Sequence, residues 1–249
     1  MEWRDEGIII GVKRHGESSA IVEVMTQAHG RHLGIVKGGR SRRMQTFLQP
    51  GNSAECVWRA RLDEHLGTFQ IETTRLRTAE IMETPLALHG MNLLGTLLRL
   101  LPERDPHPAL YESLVVTMEH LASREVAPAL MVRLEMAVLA ELGFGLDLAC
   151  CAATGVTDDL VYVSPKSGRA VSRIAGEPWR DRLLPLPGFL AGGSHATALE
   201  IDDIRKGFAL TGFFLERDVY GPRGLPTPDA RSAYLAQIET LRRRDGELS

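Results

Sequence analysis

The sequence predicts an α+β multidomain protein in which a small β-barrel precedes a set of helices. Up to about residue 80, apolar and polar residues alternate over short segments bounded by glycines, which is the period of half-buried strands. Beyond Thr78 the apolar residues recur at helical spacing instead. A chain of 249 residues fits one large domain or two to three small ones, and the change of period places a boundary near residue 80.

Five strands are expected in the N-terminal part, at residues 7–12, 20–26, 31–37, 54–61 and 67–73. The first is a β-branched run, and the fourth places Ala54, Cys56 and Trp58 on one face. Short strands joined by Gly-rich turns predict a small closed barrel. The OB-fold is the five-stranded barrel most used for oligonucleotides, although an SH3-like barrel would give a similar pattern.

Helices are expected at residues 78–101, 108–122, 128–142, 201–219 and 228–244. The third has one apolar face, formed by Leu130, Leu134, Ala137, Val138 and Leu142. The last ends in three arginines at 242–244, which suit the helix dipole. A hairpin is expected with strands at 160–164 and 169–173, before a Pro/Gly-rich connector at 184–193. The predicted parts are a barrel at 1–80, a central helical bundle at 81–146 and 195–249, and the hairpin with its connector at 147–194.

Composition limits the class of protein. A net charge of −3 and a pI of about 6.3 exclude a uniformly basic surface, so any nucleic-acid site must be a patch. No apolar run reaches the roughly 20 residues that cross a bilayer, and the acids at positions 2, 5 and 6 are unlike a secretion signal. The three cysteines, two of them adjacent, fit a reducing compartment. We therefore expect a cytoplasmic protein that does not contact membranes.

Residues 24–54 contain neither Asp nor Glu, although the chain as a whole is slightly acidic. Such a stretch builds a local positive surface, which phosphate backbones favour because each neutralised phosphate releases counterions. Gly38 and Gly39 let the backbone approach a ligand closely. The residues expected to contact DNA are Arg31, Lys37, Arg40, Arg42 and Arg43, together with Arg14 from the first turn. The alternative is a solvated loop between strands, with Arg14 as plain surface charge.

Signatures of catalysis are poor in this sequence. It contains no nucleophile elbow, no Walker loop, no HExxH motif and no dinucleotide-binding fingerprint. His29 and His32 have a spacing that some metal sites use, but we expect them to serve the turn or the DNA surface. Asp158 and Asp159 favour a turn over a metal site. We expect no enzyme activity; the alternative is a metal-dependent hydrolase that uses these acids and histidines.

Residues 151–155 have the shape of a C-x-x-C-G zinc knuckle in which Thr154 replaces the second cysteine. A second knuckle would fall at 168–176, where Ser172 and Ala175 stand at the ligand positions. One thiolate out of four cannot hold structural Zn²⁺. We therefore expect a degenerate zinc-ribbon-like insertion without metal or other cofactor, its zinc ligands lost at Thr154, Ser172 and Ala175. An ordinary loop with two buried thiols, Cys150 and Cys151, predicts the same absence of metal.

Several short segments, in their order and spacing, resemble the RecO family of bacterial recombination-mediator proteins over almost the whole chain. These segments are Gly16-Glu17-Ser18-Ser19, His29-Gly30-Arg31, Lys37-Gly38-Gly39-Arg40, Leu48-Gln49-Pro50-Gly51, Leu101-Pro102-Glu103, Pro106-His107-Pro108, Leu142-Gly143-Phe144-Gly145-Leu146-Asp147 and Tyr162-Val163-Ser164-Pro165-Lys166-Ser167-Gly168. The resemblance implies an N-terminal OB-fold, a helical bundle and a zinc-ribbon-like insertion that some members keep with four cysteines.

The resemblance also implies function. Family members bind single- and double-stranded DNA, anneal complementary strands and associate with RecR, and together with RecR they help to load RecA onto DNA coated by single-stranded-DNA-binding protein (SSB). They are not known as catalysts, and a nucleoid-associated protein is expected. Some contact the SSB C-terminal tail through the helical domain; Arg133 beside Leu130 and Leu134 is the candidate here, or else Arg133 is simply an exposed helix charge. The rival hypothesis is an adaptor for RecR or SSB with little direct DNA binding.

Overall fold

The computed structural model describes the backbone of residues 1–191 and 200–247 and the side chains of 1–191 and 200–241. The chain forms two compact units, Met1–Ser123 and Arg124–Ser249. The α+β prediction is confirmed, with a five-stranded N-terminal sheet and helices. The predicted division at 80 and 146 stays a prediction. Part of it, at 192–199, and the side chains of Arg242, Arg243 and Arg244 lie outside the described residues.

The N-terminal unit begins with five strands that close into a barrel in the order β1-β2-β3-β5-β4. They are β1 (Glu2–His15), β2 (Ser19–Thr26), β3 (Gly30–Val36), β4 (Ser53–Arg59) and β5 (Thr68–Arg75). All neighbours pair antiparallel except β3 and β5, which are parallel and join at a single pair, Ile35 with Thr68. The alternation predicted for β4 is confirmed, since Ala54, Cys56 and Trp58 all point into the barrel core.

Two features of the barrel differ from the prediction. β1 begins at Glu2 rather than Gly7, because its first residues pair with β4, where Trp3 lies opposite Trp58. A short helix, α1 (Arg42–Phe47), lies between β3 and β4, where only a loop was expected. The Ser41 hydroxyl starts this helix by accepting a hydrogen bond from the Met44 N–H at 3.3 Å, which satisfies one of the free donors of the first turn.

β1 is buried on both faces over its middle, because helices of the same unit cover its outer side. Ile9 belongs to the barrel core, whereas the neighbouring Ile8 and Ile10 are buried on the opposite face. The Arg99 guanidinium reaches over β1 and donates to the Ile10 carbonyl at 3.1 Å. The unbroken β-branched run in the sequence is therefore the signal of a strand enclosed on both sides.

Three further helices complete this unit: α2 (Thr78–Glu83), α3 (Pro85–Leu98) and α4 (Pro108–Glu119). The single helix predicted at 78–101 is broken at Thr84, because a residue that precedes proline is disfavoured in the helical conformation. Thr84 instead caps α3, its hydroxyl accepting from the Ala87 N–H at 3.1 Å. Proline is well tolerated at the first position of the new helix.

The C-terminal unit contains α5 (Ala127–Glu141), a small sheet and the later helices. The sheet has the order β7-β6-β8, from β6 (Leu160–Val163), β7 (Ala170–Ser172) and β8 (Leu184–Pro185), so the predicted hairpin is present. A short helix, α6 (Arg173–Gly176), follows β7, and α7 (Ile201–Phe214) and α8 (Asp229–Glu247) come last. On the face predicted for α5, Leu134 and Val138 are buried, and Leu130, Ala137 and Leu142 are half-buried.

One buried ion pair links the main helices of this unit. Glu135 on α5 accepts from Arg231 on α8 through both carboxylate oxygens, at 2.8 and 3.1 Å. The Thr211 hydroxyl of α7 donates to the same carboxylate.

Within the described residues, no helix is both long and apolar enough to span a membrane.

Candidate nucleic-acid interface

One end of the barrel gathers most of the basic residues of the acid-free segment. The strand register places Arg14 opposite Ala20 on β2, and Ala20 opposite Val36 on β3. Lys37 follows Val36 directly, so Arg14 and Lys37 lie at the same end, about 10 Å apart across two strand spacings. The loop that follows, with Arg40, and the start of α1, with Arg42 and Arg43, lie at this end too. We call this surface the basic end: Arg14, Lys37, Arg40, Arg42 and Arg43.

The loop of the basic end is held in place by its neighbour on β1–β2. Gly38 has a φ of +68°, which favours glycine, and nothing lies near enough to obstruct a ligand there. The Arg40 N–H donates to the Ser18 carbonyl at 3.0 Å, and its guanidinium donates to the Gly16 carbonyl at 2.6 Å. Arg40 therefore positions the two loops against each other as well as carrying charge.

Three cations of the basic end are available to a ligand. The side chains of Lys37, Arg42 and Arg43 are exposed, and none forms an ion pair with any residue that the structure describes. Arg14 is exposed as well, whereas Glu17 in the β1–β2 turn is an acid close to this surface. Exposed cations without carboxylate partners keep their full charge for phosphate groups.

Arg31 lies apart from the basic end, at the opposite end of β3. Its side chain is only 14% exposed and donates to Glu23 at 2.7 Å and to the Leu101 carbonyl at 3.2 Å. Glu23 is paired a second time, with Arg99 at 2.8 Å. This geometry favours a structural role for Arg31, and its contact with DNA stays a prediction.

A cluster of rings closes the same end of the barrel as Arg31, and sequence reasoning missed it. Trp3 stacks on His29 with ring centroids 4.1 Å apart, and His32 packs edge-on against Trp58 at 4.7 Å. The His29 ring contacts Asp5 at 3.1 Å, as expected for a residue that serves the turn. Burial lowers the pKa of His32 to about 4, and the nearby Arg104 guanidinium acts in the same direction.

A groove of about 270 Å³ lies beside the basic end, where β5 runs on past the end of β3. Its walls come from the end of β3, from α1, and from β4 and β5: Val36, Lys37, Met44, Val57, Arg59, Thr68, Phe69, Gln70 and Ile71. Arg59 is paired with Glu2 at 2.9 Å, both side chains being more than half exposed. Sequence reasoning missed this groove because it depends on the β3–β5 pairing and on α1.

The segment with the predicted knuckles is held by hydrogen bonds around one thiol. Cys151 is buried, Cys150 is half-buried, and the Ser172 N–H donates to the Cys151 sulfur at 3.3 Å. Burial acts to raise the pKa of the Cys151 thiol, but hydrogen bonds from Ser172 and Thr154 lower it to about 6. No group of metal ligands occurs among the described residues. One thiol with hydroxyls and the Ala175 methyl is not a donor set for structural zinc.

The candidate partner site on α5 is only partly exposed. Arg133 is exposed, and its guanidinium donates to the Phe189 carbonyl at 2.7 Å. Leu130 is half-buried, and Leu134 is in the core of the unit. The contact of this face of α5 with a partner stays a prediction.

The acidic pair at 158–159 lies in a turn. Asp159 has a φ of +48° and pairs with Arg173 at 3.2 Å.

The fold and the basic end define an α+β protein that presents a positively charged barrel surface. Comparisons with known proteins agree with this class of protein and identify a family within it. The family model described as Recombination protein O N terminal matches residues 1–77, and the model described as Recombination protein O C terminal matches residues 86–225.

Relatives with the same family name are similar to this chain over almost its whole length. The DNA repair protein RecO of Methylocella silvestris is 59% identical over 244 residues, covering 98% of each chain. Those of Chelativorans sp. and Beijerinckia indica are 58% and 57% identical, covering 96% and 95% of each chain. The chain therefore belongs to the RecO family of DNA repair and recombination proteins.

Proposed function

We propose that this protein binds single- and double-stranded DNA through the basic end of its barrel and acts as a recombination mediator. The observation that supports this most directly is the set of exposed cations without carboxylate partners: Lys37, Arg42 and Arg43. The strand order and the helix between β3 and β4 support an OB-fold, the barrel most often used for oligonucleotides.

The chemistry of the basic end favours contacts with backbones over contacts with bases. Guanidinium and ammonium groups bind phosphate oxygens, which carry no sequence information, so binding should tolerate any sequence and weaken with salt. A surface that neutralises two phosphate backbones at once lowers their mutual repulsion. Strand annealing then forms base pairs without any covalent bond being made or broken, so no catalytic residue is assigned.

The partners of the family extend the proposal. The protein would associate with RecR, contact the SSB C-terminal tail, and through them help RecA to load onto SSB-coated DNA in the cytoplasm, at the nucleoid. For the SSB tail, Arg133 beside Leu130 supplies a cation at the edge of an apolar face. We propose that zinc takes no part, because the donors around Cys151 are hydroxyl and N–H groups rather than three further thiolates.

A charge-removal variant tests the proposed site. Replacing Lys37, Arg42 and Arg43 with alanine removes three exposed cations and should weaken DNA binding and slow annealing, while the fold stays intact. The salt slope of single-strand binding should fall by about 0.7 for each phosphate contact that is lost. The measurement is fluorescence anisotropy of a labelled oligonucleotide, with circular dichroism as the check on folding.

The matched control removes three exposed arginines from the C-terminal unit, at Arg180, Arg182 and Arg223. It changes the net charge equally and should leave both affinity and slope close to those of the parent. Equal losses in the two triple variants would show a general charge effect, and an unchanged first variant would remove the basic end as the site. The adaptor hypothesis would then be favoured.

A further inference from the structure

The face that OB-fold barrels most often use for oligonucleotides is largely covered by this chain's own residues. That face lies on strands 2 and 3. On its outer side Glu23 is only 8% exposed and pairs with both Arg31 and Arg99, and Met25 is fully buried. The part of this face around Glu23 and Met25 is therefore closed to nucleic acid, which favours a different surface of the barrel.

The gap between β3 and β5 is closed on one side and open on the other. On the closed side, the Arg104 N–H donates to the Arg31 carbonyl at 2.8 Å, and the Arg104 guanidinium lies over the Trp58 ring at 5.6 Å. On the open side, beyond the pair of Ile35 with Thr68, lies the groove described above. The open side of this seam thus adjoins the basic end.

The groove combines an apolar interior with a charged margin. Val57, Ile71 and Met44 supply half-buried apolar surface, and the Phe69 ring lies at its base. Gln70 and Thr68 add hydrogen-bonding groups of both kinds. Lys37 lines the margin, and Arg42 and Arg43 immediately precede Met44 on α1. This combination matches single-stranded nucleic acid, in which the apolar face of a base can contact the groove while the neighbouring phosphates contact the cations.

We propose that this groove takes up one unstacked base of single-stranded DNA while Lys37, Arg42 and Arg43 bind the neighbouring phosphates. The inference rests on the proposed function and names the strand form that its site prefers. A volume of about 270 Å³ is slightly below the range of drug-sized pockets, which suits a single base. A paired and stacked base cannot enter without the cost of flipping it out of the duplex. The basic end therefore holds both strand forms, and the groove adds affinity for single strands alone.

A charge placed in the groove tests this proposal with little risk to folding. Gln70 is exposed, so Gln70→Glu changes charge without changing shape. The matched control is Gln27→Glu, which makes the same change at an exposed position in the β2–β3 turn, at the far end of β3. Losing the contacts of one base should weaken binding of an unstructured oligonucleotide by about tenfold. Duplex affinity should change no more in Gln70→Glu than in Gln27→Glu.

A second measurement locates the base directly. An oligo(dT) strand carrying 5-iododeoxyuridine is crosslinked by light to the full-length protein, and the adducts are mapped by mass spectrometry. Adducts at Met44 or Phe69 are expected. Adducts only outside the groove, or equal losses of single- and double-strand affinity in Gln70→Glu, would overturn the inference while the proposed DNA binding stands. A parent protein that binds no oligonucleotide at low salt would overturn both.

Discussion

His32 shows how one residue couples the barrel to pH. It is 2% exposed, and neither ring nitrogen has a hydrogen-bond partner among the described residues. Its surroundings are rings and the Arg104 guanidinium, which disfavour the protonated form. The His29–His32 pair, which looks like a metal motif in the sequence, is thus divided between a turn and a buried ring cluster.

We predict that this residue makes the barrel sensitive to acid. The unfolded chain takes up a proton near pH 6.5, whereas the folded protein resists until about pH 4. The unfolded state therefore binds more protons in this window, so the stability present above pH 6.5 is lost as the pH falls toward 4. The free energy of unfolding should fall by up to about 3 kcal/mol, which is the energy that corresponds to lowering the pKa of His32 from 6.5 to about 4.

The measurement is urea unfolding between pH 4.5 and 7.5, followed by tryptophan fluorescence in a Trp179→Phe background, so that the signal comes from Trp3 and Trp58. His32→Phe keeps an aromatic ring in the cluster and should flatten the pH profile. His15→Gln removes an exposed histidine and should leave the profile as in the parent. An acid loss of the same size in His32→Phe would contradict the prediction.

At the residue scale, the sequence predicts charge better than it predicts pairing. The absence of acids between 24 and 54 correctly indicates where Lys37, Arg42 and Arg43 stand free of local carboxylates. The same argument cannot separate Arg31 from them, because its partners, Glu23 and the Leu101 carbonyl, come from distant or opposing segments. Such pairings arise from the tertiary fold and leave no local pattern.

Among the elements, strands with strong alternation of apolar and polar residues are predicted well, whereas helices whose bounds are set by capping residues are not. β2 and β5 are close to the predicted bounds, but α1 is too short to show helical periodicity and is set by the Ser41 cap. The break between α2 and α3 is encoded locally, by Pro85, and was missed because the apolar pattern runs through it. The groove depends on α1 and on the β3–β5 register, so it could not be predicted from the strands alone.

The turn before β3 offers a test of backbone constraint. Gly30 has a φ of +61°, and a methyl group there would overlap the Asp105 backbone carbonyl. Gly38 has a φ of +68° but open space around it. We predict that Gly38→Ala costs about 1 kcal/mol, from backbone strain alone, and Gly30→Ala about 2–5 kcal/mol, because overlap adds to strain. Denaturant unfolding of the two variants checks this; equal losses would contradict the role of Asp105.

The buried pair of Glu135 and Arg231 holds α5 to α8, and we predict a strong dependence on both partners. Arg231→Met leaves an unpaired carboxylate in the core and should cost about 3–5 kcal/mol. Arg205→Met, which removes the exposed ion pairs with Asp202 at 3.5 Å and with Glu239 at 2.7 Å, should cost no more than about 1 kcal/mol. The double variant Glu135→Leu with Arg231→Met should recover most of the loss. A double variant as unstable as the single one would contradict this account of the pair.

For the whole molecule, family membership and surface charge are independent observations that support the same proposal, direct binding of DNA. The relatives named DNA repair protein RecO match over almost the full chain, and the barrel presents cations that no described carboxylate neutralises. Because the net charge of the whole chain is −3, any attraction to DNA must come from a local basic surface, and the contact of the basic end with DNA stays a prediction.

We propose that this chain holds DNA by its phosphate backbone. The most direct measurement is the affinity of the wild-type protein for a labelled, unstructured oligonucleotide at several salt concentrations, with two unrelated sequences. We predict a logarithm of affinity that falls linearly and steeply with the logarithm of salt concentration, with nearly the same line for both sequences. No binding at low salt, or binding that ignores salt, would contradict the claim and leave a protein that reaches DNA only through its partners.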